Sequence, residues 1–260
     1  MHHPYTSDTF YHMVGWSILG DAEIAPDDKN EECYKLLKEV LDFGFIAGAD
    51  GRGKREKQEC LISITTDMKG HLRNGDFKGF LAKGVITCYA DIPRPSLGLH
   101  ARKYGLFGFG VSSKYLAFLG ARPVSYIPVE NDGSMQPSYR GHGLLNNMTN
   151  EILKLHKVVD EWEDDHNPLE EGGGRTINIR HPQSVLATIL TRDVAAFIKP
   201  YDQNLPLDHP DCYYTEREWR LLGNVEIKQP NVTTITVAKG YADRLLQDVP
   251  RARNFIIEEL

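Results

Sequence analysis

The sequence has neither a long apolar run nor the marks of a secreted protein. No stretch approaches the roughly 18 consecutive apolar residues that a membrane span requires, and the first residues lack the basic and then apolar segments of a secretory signal. The 4 cysteines are scattered without a Cys-x-x-Cys pair, which argues against a disulfide scaffold or a zinc site. We therefore expect a cytoplasmic protein that does not engage a membrane.

An excess of positive charge is also missing. The chain carries 30 Lys and Arg against 36 Asp and Glu, a formal net charge of −6. This balance argues against charge-driven binding to nucleic acid, which is not indicated as a partner. The hydrophobic fraction of 41% and the charged fraction of 25% are near globular averages, so a packed core is expected.

Motifs for metal and nucleotide binding are incomplete. The 10 histidines include no His-x-x-x-His pair, and no metal site is expected. Residues 48–54 match most of a phosphate-binding loop, but Arg55 stands where Ser or Thr would hold magnesium. A flexible basic hairpin tip explains this segment better. Gly108 and Gly110 resemble a dinucleotide turn only weakly, and close packing of a neighbouring element explains them more simply.

Hydrophobic periodicity predicts helices at 31–43, 144–162 and 183–198, and strands at 84–89, 107–111, 123–129, 213–222 and 232–237. Because strands and helices do not alternate regularly, the sequence favours an α+β fold with a mixed, mostly antiparallel central sheet flanked by helices. We expect a single domain over 1–260 with a helical insertion at about 140–200.

The two later helices each carry an apolar stripe. The stripe of 144–162 favours packing on the domain's own core over a partner-binding coiled coil. In the helix 183–198 the apolar residues are expected to point inward: Val185, Leu186, Ile189, Leu190, Val194 and Phe197.

The segment Glu216-x-Glu218-x-Arg220 is a compact group of charges. On a strand these residues alternate to one face, while Trp219 and Leu221 point to the other face and anchor the strand in a core. A surface ladder of charge pairs and a functional cluster explain this spacing about equally well.

Several motifs resemble the AbiGi family of abortive phage-infection proteins, and a related uncharacterised group, DUF2971, has a similar Glu-Trp-Arg strand. The resemblance rests on His100 and on four segments, 88–93, 103–111, 123–126 and 213–220. It implies a role in phage defence and a cognate toxin or antitoxin protein as the partner.

The order of motifs is also similar, more distantly, to ADP-ribosyltransferases. This resemblance implies NAD as a substrate, a macromolecular acceptor and a pocket in which His12, Tyr89 and Glu218 converge. There His12 would bond one ribose, Tyr89 would stack on the nicotinamide, and Glu218 would face the positive charge that develops on the other ribose.

The same resemblance implies supporting residues around that pocket. Glu216 would orient the acceptor, and Arg220 would keep Glu218 ionised. The further residues expected at the cofactor are Asp91, His100 and Tyr104.

Two functions therefore remain open from the sequence. The first is an NAD-dependent ADP-ribosyltransferase, or a degenerate relative, acting in phage defence. The second is a non-enzymatic antitoxin that binds and restrains a partner toxin.

Overall fold

The structure is a computed structural model of the 260-residue chain. It describes residues 7–46, 60–62, 82–84, 86–129, 141–166, 181–202, 204–206, 209, 212 and 214–260. The phosphate-loop-like segment 48–54 lies outside these residues.

The strands of the described ranges are short and spread along the chain. They are β1 (Thr9–Met13), β2 (Phe45–Ile46), β3 (Cys60–Ile62), β4 (Ala82–Gly84), β5 (Ile86–Ala90), β6 (Gly108–Ser112), β7 (Arg122–Pro123), β8 (Ser125–Val129), β9 (Ile198–Asp202), β10 (Glu218–Leu222), β11 (Val225–Glu226), β12 (Val232–Val237) and β13 (Ile256–Glu259).

The helices differ widely in length. They are α1 (Trp16–Leu19), α2 (Lys29–Phe43), α3 (Leu97–Tyr104), α4 (Ser113–Phe118), α5 (Gly141–His166), α6 (Ser184–Thr188) and α7 (Ala242–Asp248). A π-helical segment, Ile189–Val194, continues α6. Short 3₁₀ turns lie at Pro26–Asp28, Arg94–Ser96, Ala195–Phe197, Tyr214–Glu216 and Pro250–Asn254.

Contacts divide the chain into two compact units. Unit 1 comprises Met1–Cys60, Gly84–Val124 and Tyr213–Leu260, and unit 2 comprises Leu61–Lys83 and Ser125–Cys212. The single-domain organisation stays a prediction.

Unit 1 is built on one sheet. Within the described residues seven strands join in the order β13-β12-β6-β1-β5-β10-β7. All neighbours are antiparallel except β12 and β13, which are parallel. This architecture confirms the predicted α+β class with a mostly antiparallel central sheet.

One face of this sheet, which we name the core face, packs on α2. Tyr34, Leu37 and Leu41 of α2 are fully buried in one cluster with Phe109 of β6 and Ile235 of β12. The helix α2 begins two residues earlier than predicted. It ends, as predicted, at Gly44, which takes the left-handed conformation (φ +82°) that glycine adopts without strain.

Close approach explains the two glycines of β6, as predicted. A Cβ at Gly108 would lie 2.5 Å from the carbonyl oxygen of His12, and one at Gly110 would lie 2.8 Å from Cγ2 of Thr9. Only a residue without a side chain lets β1 pair so closely with β6.

In unit 2, β8 and β9 form a parallel pair, and α5 packs on this unit's own core. Leu145 and Ile152 of α5 are buried with Ala195 in one cluster. The stripe of α5 therefore faces inward, as predicted for core packing. Of the helices in the described ranges, none is both long and apolar enough to cross a bilayer.

The helix predicted at 183–198 is correct in place and wrong in orientation. Its buried residues are Ala187, Thr191 and Ala195, a spacing of four, together with Ala196 and Phe197. Apart from Phe197 and the partly buried Leu190, the residues expected to point inward are exposed: Val185 at 64%, Leu186 at 47%, Ile189 at 44% and Val194 at 41%. The π-helical turn changes the helical phase, so the buried stripe no longer follows the 3.6-residue period.

Candidate functional site

The start of β10 carries the charged residues that the sequence singles out. In the antiparallel ladder with β5, Glu218 lies opposite Ala90 and Arg220 lies opposite Cys88. Because side chains alternate along a strand, Glu218 and Arg220 share one face, which we name the polar face. Trp219 packs against the core cluster and Leu221 lies within it, on the other side. The predicted alternation of 218–221 is confirmed.

Glu218 and Arg220 form a buried ion pair. The Nε of Arg220 donates to Oε1 of Glu218 at 2.6 Å, and both side chains are less than a tenth exposed. Removing charges from water is costly, so such a pair is retained only when each charge compensates the other. Arg220 thus lies where the sequence places it, beside Glu218.

Glu216 does not belong to the strand, which corrects the prediction that it shares a face with Glu218. It ends the 3₁₀ turn Tyr214–Glu216 and is buried. Its Oε1 accepts a hydrogen bond from Nζ of Lys103 at 2.6 Å and another from the hydroxyl of Tyr104. Glu216 therefore ties the segment before β10 to the end of α3.

Arg217 is the cause of this break in the strand. Its φ of +46° is left-handed, a conformation that costs a residue with a side chain about 1–3 kcal/mol. The carbonyl of Arg217 accepts the backbone N–H of Asp91 at 3.3 Å, and its guanidinium donates to Oδ2 of Asp91. These bonds hold the turn in place.

Asp91 is a buried junction of three segments. Its Oδ1 accepts the backbone N–H of Ser7 at 3.0 Å, just before β1, while Oδ2 binds Arg217, just before β10. Both oxygens are therefore used to hold strand ends together, which is a structural role.

His100 and Tyr104 lie one turn apart on α3. Their ring centroids are 4.5 Å apart with an interplanar angle of 36°. Because Tyr104 also binds Glu216, the structure groups these three predicted site residues into one cluster.

His12 and Tyr89 lie on the core face instead. Tyr11 and Glu218 both lie opposite Ala90, so these three side chains share a face. His12, one residue after Tyr11, and Tyr89, one residue before Ala90, therefore point to the other face. Their ring centroids are 5.7 Å apart. Tyr89 is 1% exposed, and burial raises the pKa of its hydroxyl. The structure does not bring these two side chains together with Glu218.

The imidazole of His12 has a defined protonation. Burial lowers the pKa of His12, and the hydrogen bond to the carbonyl of Cys88 opposes this shift only in part. Since a carbonyl only accepts, Nδ1 carries the proton in that 2.9 Å contact. Neutral His12 then keeps Nε2 unprotonated.

A family model matches residues 70–248, more than two thirds of the chain, and its description is "Putative abortive phage resistance protein AbiGi, antitoxin". The chain belongs to the AbiGi family. A search of curated proteins and a search of solved structures each gave no match. Family membership connects this chain with abortive infection, phage resistance and an antitoxin-like role, and it confirms the resemblance to AbiGi; the resemblance to ADP-ribosyltransferases stays a prediction.

The AbiGi match includes most of the residues discussed above. The strand β10 with Glu218 and Arg220, its neighbour β5, all of α3 and Asp91 lie inside it, whereas His12 lies outside it. Within the described ranges, no group of three or more His, Cys, Asp or Glu side chains is arranged to hold a metal ion.

The sequence patterns did not indicate the partners of Glu216 and Asp91. Lys103 and Arg217 each neutralise a buried acid, and Ser7 contributes a backbone donor. Arg217 lies between Glu216 and Glu218 in the sequence, and a basic residue in this position was the signal that it could pair with a nearby acid. No spacing rule connects Lys103 with Glu216, which is 113 residues away.

Proposed function

We propose that this AbiGi protein is the antitoxin-type component of a two-component abortive-infection system. It acts by binding and restraining a partner toxin, without catalysis. Membership of the family provides the phage-defence context. The choice of binding over catalysis rests on the geometry around Glu218.

The observation that carries this proposal is the pairing of Glu218 inside the chain. An ADP-ribosyltransferase needs a carboxylate aimed at the ribose, where positive charge develops in the transition state. Here Oε1 of Glu218 accepts a hydrogen bond from Arg220. His12 and Tyr89, which the predicted NAD pocket would also need, lie on the opposite face of the sheet. This arrangement supports a structural role for the carboxylate.

The competing hypothesis is NAD-dependent transfer of ADP-ribose to a macromolecular acceptor. One experiment separates the two functions. The chain is co-expressed with its cognate toxin, and growth and complex formation are measured for the wild type and for a Glu218→Gln, Arg220→Gln double variant. Both charges are replaced together because removal of one partner leaves an unpaired buried charge, at a cost of about 3–5 kcal/mol.

If the chain restrains by binding, the double variant rescues growth as the wild type does and co-purifies with the toxin. The purified wild type leaves NAD intact in a parallel assay. Loss of rescue by a folded double variant that still forms the complex contradicts the proposal. So does growth arrest by the chain alone that the double variant relieves.

A further inference from the structure

Unit 2 contains a groove of about 520 Å³ between α5 and the helical segment that starts at Ser184. Val159 and Ala187 line it and are buried, whereas Val185 and Ile189, one turn apart, line it and are exposed. Its size lies within the range of pockets that bind ligands or the anchor side chains of a protein partner.

The apolar residues of this segment face outward. Val185, Leu186 and Ile189 are 64%, 47% and 44% exposed, although their pattern is typical of residues that a helix buries. The unit's own core takes up the small residues Ala187 and Ala195 instead. Exposed apolar side chains grouped beside a groove are typical of a surface that contacts another protein.

The groove has an uncompensated negative charge. Asp160 lines it, is exposed, and makes neither an ion pair nor a hydrogen bond with any residue that the structure describes. Arg192, which also lines the groove, approaches Asp193 at 3.5 Å. Around Asp160, residues 157–166 include five acids and one basic residue, Lys157, which pairs with Glu161 at 3.6 Å.

The C-terminal end of α5 is also unfavourable for acids. Asp165 lies in the last turn of α5, where the partial negative charge of the helix favours cations. Because Lys157 pairs with Glu161, no Lys or Arg of residues 157–166 compensates Asp160. A positively charged partner beside Asp160 provides that compensation.

A hydrogen bond holds the two sides of the groove together. Nε2 of His156, on α5, lies 2.7 Å from Oγ1 of Thr191, a buried residue of the π-helical segment. Single π-helical turns occur often at functional sites, because they place side chains that a regular helix would turn away. The groove is therefore pre-formed, which lowers the cost of ordering it on binding.

We infer that this groove is the docking site for a cationic amphipathic helix of the partner toxin, an inference that rests on the proposed function. Apolar side chains spaced three or four residues apart on such a helix pack on Val185 and Ile189. A Lys or Arg on the same helix pairs with Asp160. The acidic surroundings also steer the cation toward the groove and disfavour nucleic acid as the occupant.

Calorimetric titration of the purified full chain with the purified toxin tests this inference. Two groove variants, Val185→Asp and Asp160→Lys, are compared with two matched controls, Val158→Asp and Glu151→Lys. Val158 is 50% exposed and lies outside the groove. Glu151 lies nine residues before Asp160, on the opposite side of α5, because successive helical residues are about 100° apart.

We expect each groove variant to raise the Kd by about tenfold or more, and each control to leave it within about twofold. Higher salt should weaken wild-type binding more than binding by Asp160→Lys. Circular dichroism verifies that each variant is folded. If Val185→Asp unfolds α6, the test still stands on Asp160→Lys, because Asp160 lies on an exposed helix surface.

The outcomes distinguish an error in the docking site from an error in the proposed function. If the wild type binds the toxin and both groove variants bind equally well, the docking site is wrong and the antitoxin function stands. If the wild type does not bind the toxin, the proposed function fails, and the docking site fails with it.

Discussion

Each acid around the start of β10 has its own cation within the chain. Arg220 pairs with Glu218, Lys103 with Glu216, and Arg217 with Asp91. All three acids are buried, so the pairs stabilise the fold chiefly by avoiding uncompensated charge. At the scale of single residues, these ion pairs hold the segments around the start of β10 together.

His12 provides a pH-dependent test at the same scale. Its pKa is lowered in the folded chain, so the unfolded state binds a proton more readily as the pH falls below about 6.5. The free energy of unfolding should therefore decrease between about pH 7 and pH 5. Each unit of pKa depression corresponds to about 1.4 kcal/mol, and 1 kcal/mol to about 2–4 °C in Tm.

The variant His12→Asn isolates this contribution, since its amide can donate to the carbonyl of Cys88 but does not titrate. Thermal melts across this pH range should show a steeper loss of Tm for the wild type than for the variant. Parallel profiles contradict the assignment of a depressed pKa to His12.

At the scale of secondary structure, two local features reshape elements that the sequence predicts as continuous. The left-handed Arg217 divides the predicted strand 213–222 into a 3₁₀ turn and β10. The π-helical segment interrupts the predicted helix 183–198, most of whose apolar residues are exposed. Both depend on partners distant in the sequence, Asp91 in the first case and His156 in the second, so local propensity cannot indicate them.

Other elements follow from local rules. Ser112 precedes α4 and its hydroxyl accepts the N–H of Tyr115, as an N-cap should. The strand β12 has the predicted bounds. The segment predicted as one strand at 123–129 forms two, β7 and β8. Two strands of the central sheet, β1 and β13, were not predicted.

The close pairing of β1 and β6 predicts a sharp difference between two glycines. Gly108→Ala places a Cβ 2.5 Å from a backbone oxygen, and we expect the free energy of unfolding to fall by about 1–3 kcal/mol. Gly98→Ala, in α3 with no atom within 4 Å of its added Cβ, should leave stability unchanged or raise it by up to about 1 kcal/mol. Urea denaturation measures both, and equal effects contradict the close-approach argument.

At the scale of the whole molecule, net charge determines which classes of partner the protein attracts. With a net charge of −6, we expect no retardation of duplex DNA or single-stranded RNA in gel-shift assays at about 50 mM salt. A basic protein of similar size serves as the positive control. Binding that weakens steeply as salt increases contradicts this expectation and reopens nucleic acid as a partner.

The sequence by itself determined the α+β class, the positions of the longest helices and several strands, and the AbiGi family, because alternation, helical periodicity and ordered motifs are local properties of the chain. Only the tertiary structure decided which side chains meet. Sheet register places His12 and Tyr89 on the face opposite Glu218, and three-dimensional packing assigns each buried acid its cation. Register and long-range pairing depend on segments far apart in the chain, and a single sequence gives no rule that joins them.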